Sequence, residues 1–287
     1  MTCPRILTVQ DISCVGQCSM TVALPILSAC GVETCILPTA VLSTHTGGFT
    51  GVHFRDLTED FPAIRSHWQR EGITFDAIYT GYLGSLKQIG LILEIADALL
   101  VMGGKLIVDP AMADNGKLYS GFDSAYVEAM KRLCARADIL LPNITESCFL
   151  TDTPYIPAPD ASQAAELMEK LTRLGAKSVV MTGVGFEPSE TGAGIWHKGS
   201  VSYYTHRKIP ASFHGAGDIF ASAFTGSLIR GKNMREAVQI AADFTSACVD
   251  KTWQEPAHWY GVRFEAALPE LMEMFNYRKE KYPGNSR

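Results

Sequence analysis

Short apolar runs alternate with longer amphipathic segments through the first two thirds of the chain. The runs at 5–10, 33–38, 76–80, 105–109, 138–141 and 178–181 are almost continuously hydrophobic and rich in Ile, Val and Leu. Such runs predict strands buried on both faces. The segments between them, 18–30, 57–70, 86–101, 122–136 and 161–174, carry helical spacing. Strand alternating with helix predicts an α/β fold: a mostly parallel central sheet, right-handed crossovers and helices on both faces. After residue 181 the pattern changes. Residues 194–197 and 201–205, joined by Lys198-Gly199-Ser200, predict a hairpin. Helical segments follow at 216–230, 234–250 and 264–276. No internal repeat, low-complexity tract or linker interrupts the pattern, so residues 1–287 are expected to form one domain.

Composition narrows the class. The chain has 287 residues, 47% of them hydrophobic, which is enough for a large core. The net charge is −5 and no basic stripe stands out, so the electrostatic footprint of a nucleic-acid binder is missing. His206-Arg207-Lys208 reads as a solvated strand end. No apolar run reaches about 18 residues, the length that predicts a membrane span. The first residues run straight into the strand ILTVQ without a signal-peptide pattern, so a cytoplasmic protein is expected. The eight cysteines form no CxxC pair and are expected to be reduced core thiols. Asn143-Ile144-Thr145 matches a glycosylation sequon, which carries no weight without a secretory signal.

In open α/β sheets, ligands sit beyond the carboxyl ends of the strands. Polar and Gly-rich residues gather after each predicted strand: DISCVG (11–16), STHTGGFTG (43–51), GYLGS (81–85), DPAMADNG (109–116), PNITE (142–146) and TGVG (182–185). The chain contains no GxxxxGK[ST], HExxH or GxSxG, which argues against a P-loop, a zincin and a serine hydrolase.

FHGAGDIFASAF (213–224) places a carboxylate, Asp218, where an apolar helix should begin. Gly215 and Gly217 permit a tight turn. The helix behind them adds unpaired N–H groups and a positive dipole end, together a pocket for an anion. An acid beside such a pocket can accept a proton from an attacking hydroxyl, and phosphoryl transfer needs little more than positioning and charge stabilisation. The plain alternative is that Asp218 only favours a helix N-terminus. Asp109 and Glu146 end neighbouring stretches and suit Mg²⁺, which prefers oxygen ligands. Each also has an ordinary reading: Asp109 as a turn former before Pro110, Glu146 as a first-turn acid and Asn143 as a helix cap.

GAGD at 215–218, DPAM at 109–112 and PNITE at 142–146 resemble the ribokinase-like superfamily, whose fold is a three-layer sandwich. His45-Thr46 within STHTGGFTG, followed by TGYLGS (80–85), resembles its pyridoxal/pyridoxamine kinases, and the likeness covers nearly the whole chain. It implies transfer of the ATP γ-phosphate to the 5′-hydroxymethyl group of pyridoxal, pyridoxamine or pyridoxine. It implies Asp218 as general base, with Gly215, Ala216 and Gly217 as anion-hole backbone. Asp109 and Glu146 would organise Mg²⁺, with a monovalent cation such as K⁺ as a further option. Ser43, His45, Thr46 and Tyr82 would lie near the substrate ring, and Asn143, Thr182 and Gly183 near the nucleotide. A homodimer and a flexible loop over the site, about 112–121, are also implied. The chain departs from the pattern at Asp11, where many B6 kinases carry Ser; a carboxylate there can pair with the pyridine nitrogen or an amine. Cys14 and Cys18 lie nearby and read as inert thiols. Two alternatives share the scaffold: a hydroxymethylpyrimidine kinase of thiamine synthesis, and a non-catalytic B6 carrier. The intact GAGD argues against the carrier.

Overall fold

Runs of apolar and β-branched residues build the centre of the molecule, and the computed structural model describes residues 3–255 and 257–275. The elements run β1 (Arg5–Ser13), α1 (Met20–Ala29), β2 (Glu33–Leu42), β3 (Phe54–Asp56), α2 (Phe61–Arg70), β4 (Phe75–Thr80), α3 (Leu86–Leu99), β5 (Leu100–Val108), β6 (Ala113–Asp114) and β7 (Lys117–Leu118). They continue with α4 (Ser124–Cys134), β8 (Ile139–Leu140), α5 (Ile144–Leu150), α6 (Ala161–Leu174), β9 (Ser178–Thr182), β10 (Glu190–His197), β11 (Ser200–Arg207), α7 (Ala216–Ile229), α8 (Met234–Trp253) and α9 (Leu268–Met274).

Nine strands form one sheet in the order β11-β10-β9-β8-β5-β4-β1-β2-β3. The six from β9 to β2 are parallel. Antiparallel partners close the two edges, β3 on one side and β10–β11 on the other. Alternate residues of each strand face opposite layers. Leu7, Val9, Ile78, Val108 and Val179 pack under α2, α3, α4 and α6. Ile6, Ala77, Tyr79, Ile107 and Val180 pack under α1, α7, α8 and α9. The result is the expected α/β three-layer sandwich. Burying one such Val, Ile or Leu side chain stabilises the fold by about 1.5–3 kcal/mol. The strand order reverses between β4 and β1, which opens a crevice at their carboxyl ends.

Several boundaries differ from the sequence reading. The helix expected over 86–101 stops at Leu99, where Leu100 turns to extended backbone (φ −71°, ψ 133°) and starts β5. The apolar run there fits either period, and neither Gly nor Pro marks the join. The helix expected over 57–70 is a 3-10 turn at Thr58–Asp60 followed by α2. The helix expected over 264–276 is a 3-10 turn followed by α9; residue 276 lies outside the described residues. β3 is three exposed residues and carries no apolar alternation. The hairpin expected at 194–205 is longer than its apolar core and spans β10 and β11. Its turn residues Lys198 (φ 50°) and Gly199 (φ 78°) are both left-handed, the geometry that two-residue hairpins favour. Four cysteines are buried, but Cys3 and Cys14 are exposed, so those two are not core thiols.

Candidate active site

The carboxyl ends of the parallel strands converge on a cavity of about 130 Å³. Seven residues singled out from the sequence line it: Asp109, Asn143, Glu146, Thr182, Gly215, Gly217 and Asp218. They come from stretches more than a hundred residues apart and meet because β5, β8 and β9 are adjacent and α7 points its N-terminus at their ends.

Gly215 caps α7 in the left-handed region (φ 88°), and a Cβ there would lie 1.8 Å from the Gln17 carbonyl oxygen. Only glycine satisfies both constraints. A Cβ on Gly217 would meet nothing within 4 Å, so the first turn of α7 faces open space. The leading N–H groups of a helix have no intrahelical partner. That space is therefore a cradle for an anion.

Asp218 is partly buried at the cavity wall, and its Oδ2 accepts a hydrogen bond from the Ser19 N–H at 3.0 Å. Burial pushes its carboxyl up to about 6, and Asp11 adds to the rise while the Ser19 bond opposes it. Burial, with Glu146 and Asp218 close by, holds the Asp109 carboxyl well above its ordinary range. Asp109 Oδ1 accepts the Ala111 N–H at 3.1 Å. Glu146 is raised mainly by burial. It has a full set of local bonds: its Oε2 accepts the Asn143 N–H and its Oε1 the Met112 N–H, both at 2.9 Å. The first of these is half of a capping box that starts α5. Three carboxylates thus share a cavity that, among the described residues, no Lys or Arg lines. That excess of negative charge fits a cation. Among the described residues no group of three or more His, Cys, Asp or Glu is arranged to hold a metal by itself. Two carboxylates beside an anion cradle suit Mg²⁺, which keeps waters and takes phosphate oxygens as ligands.

Asp11 is not in a loop. It lies inside β1 at a register shift between Gln10 and Ile12, and it is buried. The extra residue of that shift lies on β2, between Pro38 and Val41, so Asp11 keeps its place in the β1 alternation. Its Oδ2 accepts the Ser13 hydroxyl at 2.9 Å, and burial raises its carboxyl. Cys18 feels both Asp11 and Asp218; burial and their charges push its thiol far up, so it stays protonated and inert.

The remaining expected ring contacts are more peripheral. His45 is buried and fully engaged by backbone. Its Nδ1 accepts the Gly47 N–H at 3.0 Å, so Nε2 carries the proton and donates to the Tyr260 carbonyl at 2.7 Å. Ser43 Oγ accepts the His53 N–H at 3.0 Å and clips its own loop. Thr46 and Gly183 are exposed. Tyr82 is half-buried and stacks on Phe122 at 5.5 Å, close enough for Asp11 to raise its phenol after burial has done so. Ala216 follows the cap and does not line the cavity.

The segment expected as a flexible loop, 112–121, forms the two-stranded hairpin β6–β7. It is tied to the start of α5: Asn143 Nδ2 donates to the Ala113 carbonyl at 2.8 Å, and the Gly116 N–H donates to Thr145 Oγ1 at 3.1 Å. Tyr119, which follows the hairpin, lines the cavity. Sequence reading missed it, and no local signal distinguishes it from other surface tyrosines.

A family model described as phosphomethylpyrimidine kinase matches residues 23–261. A structure from Bacteroides thetaiotaomicron, described as a phosphomethylpyrimidine kinase and crystallised with pyridoxal, is 36% identical with a TM-score of 0.89, covering 94% of this chain and 96% of that one. The pyridoxal kinase of Lactobacillus plantarum is 31% identical with a TM-score of 0.87, covering 95% and 98%. The hydroxymethylpyrimidine/phosphomethylpyrimidine kinase of Bacillus subtilis is 29% identical over 75% of this chain and 77% of its own. The chain spans only 45% of a rice protein described as a probable bifunctional enzyme of thiamine biosynthesis. With the matched model covering most of its length, this chain belongs to the phosphomethylpyrimidine kinase family, on a ribokinase-like fold.

Proposed function

We propose that the chain transfers the γ-phosphate of ATP to the 5′-hydroxymethyl group of a B6 vitamer. The observation that carries this reading is Asp218, fixed by the Ser19 amide at the mouth of an anion cradle and sharing a cavity with Asp109 and Glu146. Asp218 takes the proton from the acceptor hydroxyl as that oxygen attacks. The N–H groups of Gly215, Ala216 and Gly217 stabilise charge on the transferred group. Asp109 and Glu146 would hold Mg²⁺ directly or through water, and the ion would neutralise phosphate charge. A K⁺-type ion could add to this. Asn143 and Thr182 line the nucleotide side, with Gly183 beyond them.

The acceptor side supports B6. Asp11 is buried, and its charge is felt by Tyr82 and by Asp218, which supports a role for its carboxyl in meeting a pyridine nitrogen or an amine. His45, Ser43 and Thr46 shape the loop that borders this region. A second reading is phosphorylation of hydroxymethylpyrimidine, favoured by the family description and the Bacillus relative. Action as one domain, a homodimer and a cytoplasmic setting belong to the same proposal. The test is steady-state phosphorylation by purified protein with Mg-ATP and pyridoxal, pyridoxamine, pyridoxine or hydroxymethylpyrimidine. Turnover of the B6 compounds is expected. Turnover of hydroxymethylpyrimidine alone would favour the second reading, and binding of a B6 compound without turnover would favour a carrier.

A further inference from the structure

Ser19 departs twice from ordinary helix-start geometry. It is the N-cap of α1, and its carbonyl accepts the Val22 and Ala23 N–H groups at 3.0 and 2.9 Å. A Ser at that position ordinarily sits in extended backbone and turns its hydroxyl onto a first-turn N–H. Here the backbone lies at φ 51°, ψ −125°, and the side chain makes no cap bond. That conformation suits glycine and strains a residue with a Cβ. The residue is also buried. Both departures serve the acids on either side. The Ser19 N–H donates to Asp218 Oδ2 at 3.0 Å. The Ser19 hydroxyl donates to the Asp11 carboxyl, as the Ser13 hydroxyl does. One residue thus touches both acids, with its backbone on one and its side chain on the other. The turn before it is fixed as well: Thr21 Oγ1 donates to the Cys18 carbonyl at 2.8 Å, and the Gln17 carbonyl abuts Gly215. A strained residue persists only where its surroundings over-determine it.

We propose that Ser19 is a positioning residue: its hydroxyl bond to Asp11 holds the strained backbone that aims its N–H at Asp218, so Asp11 orients the base through Ser19. The catalytic part of this role rests on the proposed kinase reaction, with Asp218 as its base; the Asp11–Ser19–Asp218 arrangement does not. Three variants separate the contributions. Ser19→Ala removes the hydroxyl and keeps the strain. Ser19→Gly removes both, since glycine adopts the same backbone at no steric cost. Asp11→Ala removes the acceptor of the hydroxyl bond.

The test pairs amide hydrogen exchange at residue 19, read by NMR on the full chain, with steady-state kinetics using Mg-ATP and each B6 vitamer. The amide should be protected in the wild type and in Ser19→Gly. It should exchange at least about tenfold faster in Ser19→Ala and in Asp11→Ala, where nothing holds the backbone in place. Ser19→Ala should lower kcat roughly 10- to 100-fold, the scale of a small misplacement of a catalytic group, with KM for Mg-ATP unchanged. Ser19→Gly should lose less than Ser19→Ala, an order that a role for the hydroxyl alone would not produce. Full protection of the amide in Ser19→Ala or Asp11→Ala would overturn the proposal. So would a kcat in Ser19→Gly as low as in Ser19→Ala, or an unchanged kcat in Ser19→Ala beside an active wild type. The expected exchange pattern in an inactive wild type overturns the kinase reading and the catalytic part, and leaves the link between the two acids standing.

Discussion

Asp218 couples the chemistry to stability. Its carboxyl titrates near 6 in the fold against an ordinary value of 3.8. As the proposed base, Asp218 must be ionised, so kcat/KM should fall as pH drops through about 6. The stability effect has the opposite sign: between about 4 and 6 the folded state binds more protons than the unfolded one, so ionising Asp218 weakens the fold as pH rises through that window. Asp218→Asn keeps an acceptor for the Ser19 N–H and removes the charge. It should lose roughly 10²–10⁴-fold in kcat with acceptor binding retained. It should also gain about 1–3 kcal/mol of stability at pH 7.5 and less at pH 5, measured by urea denaturation. An activity unchanged by the substitution would remove Asp218 from the mechanism. Asp11 makes a separate prediction. If its buried carboxyl meets the pyridine nitrogen or the amine, Asp11→Ser should reorder pyridoxal, pyridoxamine and pyridoxine in kcat/KM; an unchanged ranking would sink that role. The identity of both acids was visible in the sequence. The effect of Asp11's charge on Asp218 was not, because residues 11 and 218 come near each other only in the folded chain.

Among the elements, α5 does two jobs in seven residues. Its capping box satisfies the helix start, and the same Asn143 and Glu146 pin the hairpin β6–β7, whose flanking residues Ala111 and Tyr119 line the cavity. A comparison with α8 separates the roles, since Asn233 and Glu236 form the same box far from the cavity. Asn233→Ala should cost about 1 kcal/mol and leave kcat alone. Asn143→Ala should cost at least as much, because it also releases the Ala113 carbonyl, and should raise KM for the nucleotide. Denaturation midpoints and steady-state kinetics on both variants check this. Equal kinetics in the two would mean the hairpin takes no part. Asn143 was readable in the sequence as a helix cap, while the reciprocal bonds of the two boxes appear only in the structure. The hairpin was not readable, because two-residue strands carry no period and their pairing is set by contacts to α5.

For the whole molecule, the proposed reaction has a cation with phosphates offset the three carboxylates that share one cavity. Mg²⁺ with ADP should therefore raise Tm by about 5 °C when present at 100-fold over its Kd, and ADP with EDTA should raise it much less. Equal shifts with and without the metal would contradict a cation at Asp109 and Glu146. Thermal unfolding followed by circular dichroism gives the comparison.

The alternation of the main strands and helices, the two buried faces of the sheet and the glycine-acid turn at 215–218 were determined locally, whereas the short elements β3, β6, β7 and α5 were not. The former follow from hydrophobic period and from backbone freedom at glycine, which neighbouring residues alone dictate. The tertiary structure decided what those rules do not reach. Asp11 is buried beside a register shift whose extra residue lies on β2, and β1–β2 pairing, not local propensity, sets such a shift. The burial that lifts Asp218, Asp109 and Glu146 comes from layers packed across distant segments. His45, expected beside the ring, spends both nitrogens on the backbone of residues 47 and 260. A side chain's type can be read in sequence, but its charge state and its partners depend on what folds against it.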